Sequence, residues 1–277
     1  MTRLKSDDIR PVNSLMVEYD LELQRKTGHS LSQLAARAAG RALRDIDPGR
    51  FKVAVVPLSC GEGIIAGFSE AVASIVAHLG FEVFVAGLPD AAGLAEAVAR
   101  GADIIFEADD LHFVAVNLRT GQIADNSSAT GRGYVAALDA MCGGLAGQQV
   151  LVVGAGQVGR SAAMAMAALG AGLSVFDAAP NAAYNLASDV YLRYGCLVTV
   201  ETDLDAALYR HRLIFDASPA AEFLGVRHLT PETRIAAPGI PLGIEPDAWE
   251  QVGTRTVHDP LQLGVATMLY EVSGARD

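Results

Sequence analysis

The chain has 277 residues, 51% of them hydrophobic and 19% charged, which suits a globular protein with ample core and excludes a disordered one. Its net charge of −11 argues against nucleic acid and anionic membrane surfaces as partners. Cys60, Cys142 and Cys196 are widely scattered, which gives neither a C-x-x-C zinc pair nor a disulfide framework and suits a reducing cytoplasm.

The N-terminal stretch MTRLKSDDIR has no apolar h-region, so no secretory signal is expected. Residues 6–26 place Ile9, Val12, Leu15, Met16, Leu21 and Leu23 among charges, the pattern of one or two amphipathic helices. Ser30 can cap a further helix over 30–45, stopped by Asp47-Pro48-Gly49.

From Phe51 the chain alternates between strand and helix patterns. Strands are expected at 51–57, 82–86 and 103–106, with helices at 64–79 and 92–100 between them. Residues 112–118 and 122–124 read as a hairpin around Thr120-Gly121. The polar stretch DNSSAT (125–130) reads as a loop before a helix at 131–142. The expected division is a substrate domain over 1–146 and a Rossmann domain over 147–277, with GGLAGQQ as the hinge.

Residues 149–177 carry the clearest motif. The apolar run Val150–Val153 ends in Gly154-Ala155-Gly156-Gln157-Val158-Gly159, followed by an Ala-rich stretch and a second apolar run closing on Asp177. This is strand, glycine turn, helix, strand, with an acid about twenty residues past the turn. Gly154 makes the turn, Gly156 admits a pyrophosphate, and Gly159 lets the helix lie close to its strand. The opening N–H groups of the helix, from Gln157, Val158 and Gly159, favour the pyrophosphate charge. Asp177 can accept both ribose hydroxyls, and Ala178-Ala179-Pro180 supplies no base for a 2′-phosphate, so NAD is favoured over NADP.

Beyond Asp177, helices are expected near 181–194 and 203–209, strands at 196–200, 212–216, 235–240 and 254–258, and a closing helix at 261–272 that returns to the first domain. The fold class is therefore α/β: an N-terminal α/β domain followed by a Rossmann-type one. Ligands of open α/β sheets sit beyond the carboxyl ends of the strands. The loops there are 59–63, 109–110, 216–219 and 238–241, and Ser218, Pro219, Pro238 and Gly239 join the expected cofactor set. Two such units facing one cleft is the layout of a nicotinamide-dependent dehydrogenase.

Asp109 follows an apolar strand, where a carboxylate can hold a substrate ammonium, take up a proton, or simply close a turn. Asn126, with Ser127 and Ser128, can orient a polar ligand or serve turn chemistry. The turn at 59–63 opens the expected helix at 64, whose N-terminus would favour a Cys60 thiolate while Glu62 would oppose it. An accessible but not strongly activated thiol is expected, against which stands the ordinary role of a small packing residue. The six histidines show no ligand spacing, and no metal is expected.

Several stretches resemble one family over nearly the whole chain: VAVVPLSCGEGIIAGFSE (53–70), LPDAAGLAEAVARGADIIFEADDLHFVAVNLRTGQIADN (88–126), VLVVGAGQVG (150–159), APGIP (237–241) and GVATMLYEV (264–272). They resemble PylD, the dehydrogenases that complete pyrrolysine biosynthesis. The resemblance implies NAD-dependent oxidation of the ornithyl terminal amine of 3-methylornithyl-N6-lysine, loss of ammonia and ring closure. It implies that Asp109 and Asn126 hold the ornithyl end, that Leu4 belongs to a helix covering the site, and that Phe68 forms its apolar wall. Ser59, Cys60 and Glu62 would line the substrate. A homodimer in the cytoplasm is likewise implied. Cys60 stands where the family carries Ser, and Glu62 where Asn is expected. The alternatives are another NAD-dependent amine or amino-acid dehydrogenase, and a non-enzymatic NAD-responsive regulator.

Overall fold

The computed structural model describes Ile9, Val12 and residues 15–274. The chain forms two compact units. Unit 1 takes the residues up to Gln24, His29–Gly133 and those from Pro260 on; unit 2 takes Arg25–Gly28 and Tyr134–Asp259.

Unit 1 is built on a five-stranded sheet of β1 (Lys52–Val56), β2 (Glu82–Val85), β3 (Ile104–Ala108), β4 (Phe113–Asn117) and β5 (Ile123–Asp125), in the order β2-β1-β3-β4-β5. β2, β1 and β3 run parallel; β4 and β5 complete an antiparallel meander. Val53–Val56 and Ile104–Phe106 are buried, as continuous apolar runs in parallel strands should be. The helices are α1 (Met16–Thr27), which enters unit 2 with its last turn, α2 (Leu31–Ala38), α3 (Phe68–His78) and α4 (Asp90–Ala99). α2 carries a capping box in which Ser30 and Gln33 satisfy each other's backbone N–H.

Two expected helices start or stop elsewhere. The helix anticipated over 30–45 ends at Ala38 because Gly40 turns left-handed (φ +66°). The one anticipated from 64 starts at Phe68, since Gly63 and Gly67 both take positive φ (+83° and +85°) and break the run between them. DNSSAT is helical rather than a loop: α5 (Asn126–Cys142) begins at Asn126, with Asp125 Oδ1 accepting the Ser128 N–H at 3.0 Å. α10 (Gln262–Val272) packs on α2, α3, β4 and β5 within unit 1.

Unit 2 is a six-stranded, wholly parallel sheet in the order β11-β10-β9-β6-β7-β8. Its strands are β6 (Gln149–Val153), β7 (Gly172–Phe176), β8 (Val198–Val200), β9 (Leu213–Asp216), β10 (Arg234–Ala236) and β11 (Thr256–Val257). Helices α6 (Gln157–Ala168), α7 (Pro180–Tyr194), α8 (Leu204–Arg210) and α9 (Pro246–Val252) connect them. Leu151, Ile214 and Ile235 are fully buried in its core, where truncation of one such side chain to alanine costs about 2–5 kcal/mol. The architecture is the expected α/β class.

Candidate active site

In unit 1 the sheet register brings the singled-out residues to one edge. Val56 at the end of β1 pairs with Glu107, Ala108 at the end of β3 with Phe113, and Asp125 at the end of β5 with Val114. The segments leaving those positions carry Ser59–Glu62, Asp109 and Asn126. Phe68, first residue of α3, meets Phe113 edge-on at 5.2 Å between ring centroids, so an apolar wall stands at the same edge. Leu4 lies outside the described residues.

Asp109 closes a turn. Its Oδ1 accepts the N–H groups of Leu111 (2.7 Å) and His112 (2.6 Å), while its own N–H donates to the His112 carbonyl. These donors, the His112 N–H foremost, hold its carboxyl below the usual carboxylate range. The side chain is exposed and anionic at neutral pH, which suits it to hold an ammonium better than to take up a proton. Turn closure and ligand holding are compatible, because both bonds use one oxygen.

Asn126 opens α5 and its Oδ1 stands 3.4 Å from the Thr130 hydroxyl. Gly264 of α10 backs this pair. A Cβ at Gly264 would lie 2.5 Å from Thr130 Oγ1 and 2.7 Å from Asn126 Oδ1, so only glycine leaves the amide where it is.

Cys60 is an exposed free thiol. The expectation of a helix opening at 64 is corrected, since α3 begins eight positions past Cys60, at Phe68. Ser59 binds Asp90, its hydroxyl to Oδ2 at 2.5 Å and its N–H to Oδ1 at 2.8 Å. Glu62 donates its N–H to Asp110 Oδ2 at 2.8 Å.

In unit 2 the glycine turn has the steric signature of a dinucleotide cradle. Gly154 takes φ +95°, and a Cβ there would sit 2.7 Å from the Ala217 carbonyl oxygen. A Cβ at Gly159 would overlap the Gly154 carbonyl oxygen. At Gly156 a Cβ would meet no protein atom within 4 Å, so that glycine leaves open space of the kind a pyrophosphate needs. Gly156 precedes α6 and no side chain caps that helix, which leaves the N–H groups of Gln157, Val158 and Gly159 for an anion.

Asp177 follows β7. Its Oδ2 accepts the Ala155 N–H at 2.7 Å and its Oδ1 the Ala179 N–H at 2.8 Å, which fixes the carboxylate over the turn with a lone pair on each oxygen for a ribose hydroxyl. The basic residue of the turn, Arg160, pairs with Asp189. Ser218 is buried and held by Asp216; Pro219 is exposed; Pro238 is half-buried; the Gly239 N–H donates to the Asp216 carbonyl at 3.0 Å. These residues fit NAD.

Residues 8–124 match the family model described as pyrrolysine biosynthesis protein PylD, N-terminal domain. Over 272 residues the chain is 32% identical to the pyrrolysine synthase of Methanosarcina acetivorans, covering 98% of this chain and 100% of that one. The chain belongs to the pyrrolysine synthase (PylD) family. The pyrrolysine synthase of Methanosarcina barkeri is 30% identical over 272 residues, 98% of each chain. Among solved structures, quinate dehydrogenase from Corynebacterium glutamicum, in complex with NAD, shares the fold with a TM-score of 0.53 and 16% identity, covering 80% of this chain and 93% of that one.

Two carboxylates of this PylD-family chain escaped the sequence reading. Asp90 stands 31 positions from Ser59, and the Ser59 hydroxyl, then its N–H, hold its carboxyl below the usual range. Asp110 fills the space a side chain at Gly61 would need, which makes glycine obligatory there together with its φ of +66°.

Proposed function

We propose that this chain is the pyrrolysine-forming dehydrogenase, which oxidises the ornithyl terminal amine of 3-methylornithyl-N6-lysine with NAD. The observation that carries this reading is the 32% identity to a pyrrolysine synthase along the whole of both chains. NAD, when bound, supplies the hydride acceptor. Gly154, Gly156 and Gly159 would leave room for its pyrophosphate and Asp177 would take its ribose.

The substrate enters with a protonated terminal amine. Asp109, kept anionic by the His112 and Leu111 N–H groups, pairs with that ammonium. Asn126, fixed by Thr130 and the bare Gly264 backbone, orients the same end, and Phe68 packs against its methylene carbons. Loss of a hydride from the amine-bearing carbon and of a proton from nitrogen gives an imine. Water adds to the imine carbon, ammonia leaves, and the aldehyde condenses with the ornithyl α-amine, returning one water and closing the five-membered pyrroline ring. The Ser59–Asp90 contact and the Glu62–Asp110 contact brace the turn carrying Cys60. Cys60 replaces the family's hydroxyl with a weak donor, so its contribution to substrate binding is contact rather than a strong hydrogen bond.

The reading places the enzyme in the cytoplasm, where its three free cysteines stay reduced, and as a homodimer. Among the described residues no helix is long and apolar enough to cross a membrane. Incubation of the purified protein with NAD and 3-methylornithyl-lysine, followed by mass spectrometry, tests the function. Pyrrolysine with equimolar ammonia and NADH is the expected result. Turnover of simple amino acids but not of this substrate would replace it with a general amine dehydrogenase.

A further inference from the structure

A dinucleotide bound to unit 2 has one direction open to it along the sheet. Asp177 follows β7 and the glycine turn follows β6 beside it, so an adenosine ribose at Asp177 sends the rest of the molecule past β6 towards β9 and β10. The loops leaving those two strands, 216–219 and 237–243, therefore serve its nicotinamide end. Beneath both loops lies Asp216, last residue of β9 and 1% exposed.

Asp216 ties the loops together. Its Oδ1 accepts the Ser218 N–H (3.0 Å) and hydroxyl (2.8 Å), and its main-chain oxygen accepts the Gly239 N–H (3.0 Å). Gly243 lies so close that a Cβ there would overlap Oδ2. Among the described residues Oδ2 has no hydrogen bond of ordinary geometry, although the Gly243 N–H lies close enough to act on the carboxyl. A buried carboxylate so sparsely hydrogen-bonded is costly.

Burial pushes the Asp216 carboxyl up to about 6, against the Ser218 hydroxyl and N–H and the Gly243 N–H, which lower it. No ionised side chain is among these influences. The titratable groups on neighbouring segments are Glu222, whose N–H donates to the Leu242 carbonyl, and His258, whose Nδ1 lies 2.6 Å from the Ala237 carbonyl. Asp216 is thus an anion at pH 8 and neutral at pH 5.

We propose that Asp216 sets the preference of the site for oxidised over reduced cofactor, its buried negative charge favouring the cationic nicotinamide ring over the neutral dihydronicotinamide. The inference rests on the reading of unit 2 as the NAD site. In a low-dielectric floor such a charge acts with little screening. The bias favours loading of the site with the oxidised cofactor that the reaction consumes.

The test is calorimetric titration of the full chain with NAD and with NADH, between pH 8 and pH 5, on the wild type and on Asp216→Asn, which keeps the acceptor for Ser218. At pH 8 the wild-type ratio Kd(NADH)/Kd(NAD) should exceed that of Asp216→Asn by about tenfold, a plausible size for one buried charge. Most of the change should fall on NAD. The wild-type ratio should also drop towards the mutant value as pH falls through 6, and His258→Gln should keep that drop. Equal weakening of both cofactors in Asp216→Asn would mean a merely structural role and overturn the proposal. A wild-type ratio constant from pH 8 to pH 5 would overturn it without any variant. A wild type that binds neither dinucleotide would instead remove the cofactor reading on which the proposal stands.

Discussion

The end of β6 in unit 2 and the strand ends of unit 1 are built for opposite charges. In unit 2 the end of β6 offers glycine backbone and uncapped helix N–H groups, the means of holding an anion. In unit 1 the segments around β1 and β3 carry Glu62, Asp90, Asp109 and Asp110, the means of holding a cation. An anion site made of backbone depends on what is missing, so its residues are fixed by steric exclusion. A cation site made of carboxylates depends on what restrains each side chain, by donors two and three residues on for Asp109 and by distant ones for Asp90 and Asp110.

That contrast is broken first at Gly159. Gly159→Val drives a branched side chain into the Gly154 carbonyl and should abolish NAD binding, by about a thousandfold, while the fold of unit 1 persists. Calorimetry with circular dichroism checks both. On the carboxylate side, Asp109→Ala should lower kcat by about a hundredfold, the scale of losing a group that positions the reacting amine. Its NAD affinity should stay as it was; a variant that instead lost NAD binding would put Asp109 in the wrong site.

Gly264→Ala sharpens the comparison, because here an amide site in unit 1 also depends on a missing side chain. The new methyl, 2.7 Å from Asn126 Oδ1, should displace the amide and lower kcat by about tenfold. In an Asn126→Ala background the same substitution should cost little further, which a double-mutant cycle reads as coupling. The smallest effect belongs to Asp177. Asp177→Ala should reduce the preference for NAD over NADP by about tenfold, roughly 1.4 kcal/mol, measured by titration of both cofactors.

Legibility in the sequence follows the same division. The glycine turn and Asp177 were readable because the pattern they form is contiguous in sequence: a strand, a turn, a close helix and a strand tip. The alternation of strand and helix was readable for the same reason, each buried run being continuous in sequence. The first turn of α5 was not, since Asn126, Ser127 and Ser128 have loop-like side chains and are helical through the Asp125 contact and their packing beside α10. Nor were the partners Asp90 and Asp110, which reach Ser59 and Glu62 across 31 and 48 positions and leave no local pattern. The start of α3 was misplaced because GEGIIAG holds helix-compatible residues between glycines whose positive φ only the fold reveals.

The central claim is that the carbon bearing the terminal ornithyl amine gives up a hydride to NAD. Substrate carrying two deuterium atoms on that carbon tests it directly, with both products read by mass spectrometry. The account predicts one deuterium on the reduced cofactor and one retained at the imine carbon of the pyrroline ring. Reduced cofactor without deuterium, or a ring that keeps both atoms, would contradict it.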